Sequence, residues 1–416
     1  MTDDSTRWIC CQLGARMHYA VPRMFRAAGK LERFYTDIYA GQGWPRWLAA
    51  WPEKICPAGV RRLLGRTAAG LPEKLISSYP FFGLDYFVRS RRAKDQEATN
   101  AVHIWAGKTF GRKVVRDGFG GADAVYVFNT AGLEILSAAR QRGLFTVLEQ
   151  TIVPRSCEEI LLAEGHQRYP GWEAPRLKSP TAAALADRER AEWSQADLII
   201  CGSEFVREGI RQCGGPVERC RVVPYGVDSN FAPVQRERTG GPLRVLTVGQ
   251  VNLRKGAGCA LEVAKALRGV AEFRWVGPIS VSDPARVELA SHVDLTGTVA
   301  RKDIREHYNW ADVFFLPSIC EGSATVTYEA LACGLPVVTT PNAGSPVQDG
   351  ADGFIVPIYD VAAMSRCLRR LHEDRELLHR CSRAAVLQAP EYSLAAYQRR
   401  LLAALSSLAQ SHGDVK

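Results

Sequence analysis

Short runs of apolar residues alternate with longer amphipathic segments along the whole chain. Each run has the length of a parallel strand that is buried on both faces, and the longer segments have helical spacing. This alternation predicts an α/β chain built on doubly wound parallel sheets. The runs predicted to be strands are Trp8–Leu13, Ala124–Phe128, Phe145–Glu149, Leu198–Cys201, Arg244–Gly249, Phe273–Gly277, Val293–Leu295, Val313–Pro317 and Pro336–Thr340.

Length and composition indicate two domains. With 416 residues, of which 46% are hydrophobic, the chain can bury two ordinary cores. The stretch 231–242 is polar and glycine-rich, as linkers between domains often are. We expect a first domain over residues 1–230, with a mainly helical insertion over about 45–113. A second domain over 231–390 and a C-terminal helix within 391–416 complete the prediction.

The chain has the composition expected of a cytoplasmic protein. Its polar N-terminus leads directly into the first predicted strand, so we expect no signal peptide. No apolar run reaches the roughly 20 residues of a membrane-spanning helix. The 12 cysteines are scattered, with no Cys-x-x-Cys pair, which argues against a zinc or redox site and favours a reducing compartment.

Two glutamates mark the most informative segment. Glu321 follows the predicted strand Val313–Pro317, and Glu329 lies about two turns into a predicted helix, Thr325–Ala332. Gly322 and Ser323, between strand and helix, are predicted to supply a turn and an N-cap. The amides that begin a helix form an anion site. The segment therefore suits an extended ligand with a diphosphate at its centre and hydroxyl groups at both ends.

This segment resembles that of the retaining GT-B glycosyltransferases of family 4, the "group 1" glycosyl transferases. The resemblance covers residues 224–388 well and the first half of the chain weakly. The segments that agree, in the family's order, are Leu198–Glu204, Val222–Asp228, Leu243–Gly249 with Arg254–Gly256, Leu295–Val299, and the Glu321–Glu329 segment with the Gly-Leu-Pro-Val-Val strand after it. Two Rossmann-like domains that face each other across a cleft are implied. The first would bind the acceptor, the second would bind the nucleotide sugar, and the C-terminal helix would cross back onto the first.

The resemblance also implies an activity and a set of roles. A sugar would pass from a nucleoside-diphosphate sugar to an acceptor hydroxyl, with retention of configuration. Lys255 and Arg254 would neutralise the leaving diphosphate, Glu321 would bind the donor sugar, and Glu329 would bind the ribose. The other donor-binding positions implied are Gly14, Gln250, Val299, Gly322, Ser323, Ala324 and Thr325. No Asp-x-Asp motif is present, so neither a metal nor another cofactor is expected.

The chain departs from the family pattern at two positions. Gln250 stands where many relatives carry arginine, so either Arg254 or Gln250 supplies the phosphate contact. Gln150 stands where relatives often carry histidine, which leaves the diphosphate itself to accept the proton of the acceptor. His18 is a further candidate for the cleft.

Positive charge is concentrated at the beginning of the chain. Residues 1–120 hold 20 Lys and Arg against 10 Asp and Glu. Tryptophans 44, 47 and 51 lie close in sequence to arginines 46, 61 and 62. This combination is typical of proteins that bind an anionic bilayer, although ordinary amphipathic helices would also account for it. No nucleic-acid-binding motif is found.

We accordingly expect a glycosyltransferase of cell-surface polysaccharide or glycolipid synthesis, peripheral at the inner face of the membrane, with a saccharide or lipid-linked acceptor. Two other functions share the donor site: a nucleotide-sugar epimerase and a non-catalytic sugar-nucleotide-binding subunit. An oxidoreductase is disfavoured, because no Gly-x-Gly-x-x-Gly follows a predicted strand.

Overall fold

Two parallel β-sheets form the framework of the molecule in a computed structural model. The model describes residues 6–48, 60, 63–174, 179–228, 230–233 and 240–413, with side chains to residue 406. Every strand pair in both sheets is parallel. The predicted α/β class with two doubly wound sheets is therefore confirmed.

The first sheet has seven strands in the order β3-β2-β1-β4-β5-β6-β7. Their bounds are β1 Trp8–Gln12, β2 Leu31–Thr36, β3 Ile76–Ser78, β4 Ala124–Phe128, β5 Phe145–Gln150, β6 Leu198–Cys201 and β7 Cys220–Val222. Every residue of β1, β4 and β6 is buried, because helices cover both faces of the sheet.

The second sheet has six strands in the order β10-β9-β8-β11-β12-β13. Their bounds are β8 Leu243–Val248, β9 Ala271–Val276, β10 Val293–Gly297, β11 Val313–Leu316, β12 Val337–Thr339 and β13 Gly353–Ile355. β8 lies between β9, which is the next strand along the chain, and β11, which follows only after β10 at the far edge of the sheet. The order of the strands therefore reverses there, and ligands of such sheets bind at the carboxyl ends of the strands beside this point.

Helices connect the strands and cover both sheets. The described α-helices are α1 Ala20–Ala27, α2 Pro45–Leu48, α3 Pro80–Arg92, α4 Gln96–Asp117, α5 Leu133–Gln141, α6 Arg155–Arg168, α7 Pro180–Gln195, α8 Glu204–Gln212, α9 Ala257–Ala266, α10 Asp283–Ala290, α11 Ile304–Trp310, α12 Thr325–Ala332, α13 Val361–Glu373, α14 Arg375–Gln388 and α15 Leu394–Gly413. The predicted helix Thr325–Ala332 has the bounds observed for α12.

All nine predicted strands are present, each within a few residues of its predicted bounds, but four further strands were missed. β2 has two polar residues near its start, and β3, β7 and β13 are only three residues long. Three of these four are edge strands and β2 is next to an edge, where burial demands less apolar sequence. The predicted helical insertion over 45–113 is thus interrupted by β3.

The last helix, α15, packs on the first domain and on the connection between the domains. Its first amide, from Leu394, donates to the carbonyl of Val227 at 3.2 Å. Arg400 donates to the carbonyl of Tyr225 at 3.0 Å, and the rings of Tyr397 and Tyr225 lie 5.6 Å apart. Buried residues of α15 belong to one apolar cluster with residues of both sheets. Half of the predicted linker, residues 234–239, lies outside the described residues.

Candidate functional site

Glu321 lies between two cations in the loop that follows β11. Lys255 Nζ is 2.9 Å from Oε1 of the carboxylate, and Arg254 Nη2 is 3.1 Å from Oε2. Burial alone would raise the pKa of Glu321, but Lys255 and then Arg254 hold that pKa below its ordinary value. The carboxylate is therefore ionised at neutral pH and accepts hydrogen bonds only.

The segment after β8 holds both cations in place. The Asn252 side chain accepts the amide hydrogen of Lys255 at 2.9 Å and caps a 3₁₀ turn, Leu253–Lys255. Gly256 follows at φ +80°, and a Cβ there would lie 2.0 Å from the carbonyl oxygen of Pro317. Only glycine therefore lets this turn pack against the end of β11. Nε of Arg254 also donates to the carbonyl of Cys320 at 2.8 Å, which orients its guanidinium.

Arg254, rather than Gln250, contacts the carboxylate. The Gln250 side chain is exposed and hydrogen-bonds the hydroxyl of Ser280. Ser280 belongs to the loop after β9, so this hydrogen bond directs the Gln250 side chain to a different loop from that of Glu321. The positive charge at this site therefore comes from two consecutive residues, Arg254 and Lys255.

Glu329 is buried in a second part of the site. Its Oε2 accepts the hydroxyl of Tyr308 at 2.8 Å, and Arg301 Nη1 is 3.9 Å from Oε1. Burial raises the pKa of Glu329, while Tyr308 and Arg301 oppose the shift. The prediction that Glu329 lies two turns into its helix is wrong, since it is the fifth residue of α12 and lies little more than one turn in.

Glu329 and Arg301 line a cavity of about 140 Å³ together with His18 and Thr325. His18 comes from the first domain, so both domains contribute to this cavity. Burial lowers the pKa of His18, and the nearby Arg301 lowers it further, although Asp228 raises it. The histidine is consequently neutral at neutral pH.

The predicted roles of Ser323 and Ala324 at the start of α12 need correction. Ser323 is not the N-cap: its hydroxyl bonds Tyr328 Oη at 2.8 Å and donates to the carbonyl of Gly344 at 3.0 Å. The N-cap is Ala324, with no side-chain cap, and its own amide donates to the carbonyl of Ala343. The amides that begin the helix and remain for an anion are thus those of Thr325 and Val326.

The two domains touch at Gly322. Its carbonyl accepts the hydroxyl of Ser203 at 2.5 Å, and a Cβ on Gly322 would lie 1.9 Å from the carbonyl oxygen of Thr151. The amide of Val153 approaches the carbonyl of Glu321 at 3.4 Å. The Glu321 loop therefore faces the carboxyl end of β5 directly.

The remaining predicted residues occupy different environments. Gly14 has φ +73°, and its amide donates to Asp37 Oδ1 at 2.9 Å. Val299 is half-buried and packs on the cluster shared by both domains. Gln150 does not lie in the cleft as proposed: it is fully buried, donates to Glu189 at 2.6 Å and accepts the indole hydrogen of Trp193 at 3.0 Å.

Sequence reasoning missed Arg16, Arg301 and His103. Arg16 Nη2 donates to the hydroxyl of Tyr225 at 3.0 Å, Nε lies 3.7 Å from the buried Glu149, and the charge contributes to the low pKa of Glu321. Arg16 lies between Gly14 and His18, both predicted from the sequence as site candidates, so its position between them was the available signal. Arg301 lies in the turn before α11 and His103 lies in α4, and neither residue is part of a sequence motif. Within the described residues, no group of three His, Cys, Asp or Glu side chains forms a metal site.

Comparisons with known proteins agree with this geometry. Residues 242–374 match the family model "Glycosyl transferases group 1". The amylovoran biosynthesis glycosyltransferase AmsK of Erwinia amylovora is 27% identical over 44% of this chain and 49% of its own length. The putative colanic acid biosynthesis glycosyltransferase WcaL of Salmonella typhimurium is 29% identical over 52% and 58%. The chain thus spans about half the length of the curated relatives it matches.

Solved structures resemble the chain over nearly its whole length. Sucrose-phosphate synthase from Thermosynechococcus elongatus has a TM-score of 0.64 and 17% identity over 98% of this chain and 100% of its own. HepE from Anabaena, solved with UDP and glucose, has a TM-score of 0.61 and 15% identity over 97% and 100%. At these identities the likeness concerns the fold, which is GT-B.

Proposed function

Residues 242–374 belong to the glycosyl transferases group 1, and on that premise we propose that the whole chain transfers a sugar from a nucleoside-diphosphate sugar to an acceptor hydroxyl. The observation that carries the proposal is the ionised carboxylate of Glu321 between Lys255 and Arg254. The cations suit a diphosphate and the carboxylate suits sugar hydroxyls, and these two groups are neighbours in such a donor.

Lys255 and Arg254 stabilise the charge that develops on the leaving diphosphate. A unit charge 4 Å away contributes about 4 kcal/mol at an effective dielectric constant of 20. Stabilisation of this kind is usually the largest catalytic term. Glu321 binds hydroxyls of the donor sugar, and it remains close enough to the cations to hold them in position.

Transfer proceeds with retention. The bond between the anomeric carbon and the diphosphate oxygen breaks, and the acceptor oxygen bonds to the same face of that carbon. The proton of the acceptor hydroxyl passes to the departing phosphate oxygen. The environment of Gln150 supports this route. Its buried side-chain amide hydrogen-bonds Glu189 and Trp193, so Gln150 does not supply a base that could take the proton from the acceptor.

Glu329 binds the ribose hydroxyls of the nucleotide in the cavity that it lines with Arg301 and His18. The carboxylate of Glu329 is buried, accepts a hydrogen bond from Tyr308 and lies near Arg301. A ligand that donates hydroxyl hydrogens suits the remaining acceptor positions of this carboxylate. The amides of Thr325 and Val326 lie between the two glutamates in sequence and would bind the diphosphate.

UDP-sugars are the donors to test first. HepE was solved with UDP and glucose, and the named relatives act in amylovoran and colanic acid biosynthesis. A saccharide acceptor on the way to an extracellular polysaccharide follows from those names. A thermal-shift screen with UDP, GDP, ADP and dTDP tests the proposal, because a bound ligand raises the melting temperature. Stabilisation by none of the four, with no turnover of the corresponding sugars, would refute it.

The first domain docks on an anionic membrane surface through an exposed apolar patch, formed by Trp47, Phe81, Leu84 and Phe87. Trp47 is 80% exposed, Phe81 77% and Phe87 55%. Three of the four lie on α3, and Trp47 lies on α2. Pro80, the first residue of α3, approaches Gly43 just before α2, so the two helices are neighbours.

Arginines lie at one end of this patch. Arg89, Arg91 and Arg92 end α3, and the guanidinium of Arg91 lies 5.7 Å from the centre of the Phe87 ring. Aromatic rings with arginines suit the headgroup region of an anionic bilayer. No helix in the described part of the chain is long and apolar enough to span a bilayer. Trp51, Arg61 and Arg62, which motivated the membrane prediction from sequence, lie outside the described residues.

A further inference from the structure

The first domain contains a cavity of about 320 Å³ that none of the donor-binding groups enters. It lies at the carboxyl ends of β1, β4 and β5 and is covered by α3 and α4. Four polar residues that line it are Tyr86, His103, Asn129 and Thr130. Its volume is at the lower end of ligand pockets, which suits a group as small as one sugar ring.

The polar groups around this cavity have unused hydrogen-bonding capacity. The Asn129 carbonyl accepts both the amide and the hydroxyl hydrogens of Thr151, at 3.2 and 2.9 Å, which leaves its NH₂ group without a partner among the described residues. The imidazole of His103 likewise makes no hydrogen bond within the described part of the chain. No carboxylate lines the cavity, and its one cation, Arg16, is held by Tyr225 and Glu149.

The floor of the cavity is held rigidly. Thr130 has φ +76°, a conformation that costs a non-glycine residue roughly 1–3 kcal/mol. The buried carboxylate of Glu192 accepts the amides of Thr130 and Gly132 at 2.7 and 2.9 Å, and Arg188 donates to the carbonyl of Thr130 at 2.7 Å. This unusual turn is therefore fixed before any ligand arrives, as is typical of binding sites.

The cavity is adjacent to the donor site. Thr151 lines it, and the carbonyl of Thr151 is the group that touches Gly322 beside Glu321. Arg16 lines it as well and contributes to the low pKa of Glu321. A sugar in this cavity would thus lie next to the sugar of a bound donor.

We propose that this cavity holds the acceptor's terminal sugar and that His103 binds one of its hydroxyls, which makes His103 a specificity-determining residue. This inference rests on the glycosyl transfer proposed above. Burial lowers the pKa of His103, and Arg155 lowers it further, although Glu158 opposes the shift. A neutral imidazole both donates and accepts a hydrogen bond, as recognition of a hydroxyl requires.

Proton NMR of the histidine rings tests the inference. His103→Gln identifies the His103 resonance among the eight histidines. The protein saturated with UDP is titrated with the methyl glycosides of glucose, galactose and mannose. We expect at least one glycoside to shift the His103 resonance. Its dissociation constant, measured by isothermal titration of the UDP-saturated protein, should rise about tenfold in His103→Ala, which corresponds to the loss of one hydrogen bond. His292→Ala is the matched control, because His292 precedes β10 and so lies at the amino edge of the other sheet.

The possible results separate the two proposals. If UDP stabilises the protein but none of the three glycosides moves the His103 resonance, the acceptor site is wrong and the donor site stands. Equal glycoside affinity in His103→Ala and His292→Ala would also overturn the role of His103. If UDP itself does not bind, the glycosyl transfer on which the inference rests is wrong.

Discussion

Lys255 Nζ lies 2.9 Å from Oε1 of Glu321, although the two residues belong to loops after different strands, β8 and β11. The pair joins the two loops that flank the point where the strand order reverses. Since both groups are largely buried, each charge offsets part of the cost of burying the other. The unliganded site therefore already holds, in position, the cation and the anion that the proposed donor needs.

Replacing Lys255 with alanine should weaken UDP binding and slow transfer together, with the rate falling about a hundredfold. The cation would be lost from the leaving group, and Glu321 would keep only Arg254. Isothermal titration with UDP and initial rates measure the two effects. Lys265→Ala is the control, because Lys265 forms an exposed ion pair with Glu288 on another face of the domain. Unchanged UDP affinity in Lys255→Ala would exclude Lys255 from the site.

Glu321→Gln should reduce kcat/KM at least tenfold, about 1.4 kcal/mol of transition-state stabilisation. The cations hold the pKa of Glu321 below 4.5. Its ionised form therefore persists to lower pH than that of an ordinary glutamate, and any loss of activity or stability due to its protonation should appear only in the acidic range. Rates and melting temperatures between pH 4 and 8 provide the test. A glutamine variant with native activity would end the assignment.

Gly322→Ala should impair transfer without unfolding either domain. The added Cβ would meet the carbonyl oxygen of Thr151 at 1.9 Å, so the Glu321 loop and the end of β5 would have to separate. Gly240→Ala adds the same methyl group at a position where the new Cβ would have no atom of the described residues within 4 Å. We expect a fall in kcat in the first variant and none in the second, with similar melting temperatures. Equal activity would mean that this contact is dispensable.

Glu189 should make the protein less stable as pH rises. Burial raises its pKa to about 7, from an ordinary value of 4.5. Between these values the folded state binds more protons than the unfolded state, so the free energy of unfolding falls with pH, by on the order of 3 kcal/mol for this group. Urea denaturation of Glu189→Gln from pH 4.5 to 7 should show a smaller decline. The exposed Glu376→Gln should keep the native slope, and the same slope in both variants would contradict the prediction.

Phe81→Ser with Phe87→Ser should abolish sedimentation with anionic vesicles. The native protein should bind phosphatidylglycerol vesicles at low salt and less at high salt, since each basic residue near the surface contributes about 1 kcal/mol. Leu387→Ser removes an equally exposed apolar side chain, 78% accessible, from the second domain and should leave binding intact. If the native protein sediments with neither anionic nor neutral vesicles, the membrane proposal is wrong.

The sequence revealed most of the second domain because its strands are long apolar runs and its functional residues lie near their ends. Glu321, Arg254 and Lys255 could be named since each follows such a run within a few residues. Their contact could also be expected, because the carboxyl ends of parallel strands share one edge of the sheet.

The first domain was harder to predict because its site depends on tertiary placement. His103 lies in the middle of a 22-residue helix, and only the packing of that helix over β4 brings it to the cavity. Ser323 had the sequence signature of an N-cap, yet Tyr328 and Gly344 engage its hydroxyl instead. Gln150 directly follows the predicted strand Phe145–Glu149, where a cleft residue would be expected. In the structure β5 includes Gln150, and its side chain is buried.

The return of α15 makes the first domain discontinuous in sequence. Leu401 and Leu405, near the end of the described side chains, are buried with Trp8 and Phe25 from the beginning of the chain. Cutting the polypeptide after the first sheet would expose that apolar surface. Exchanging acceptor specificity with a relative consequently requires both sequence segments, the N-terminal half and the terminal helix, to come from the same parent.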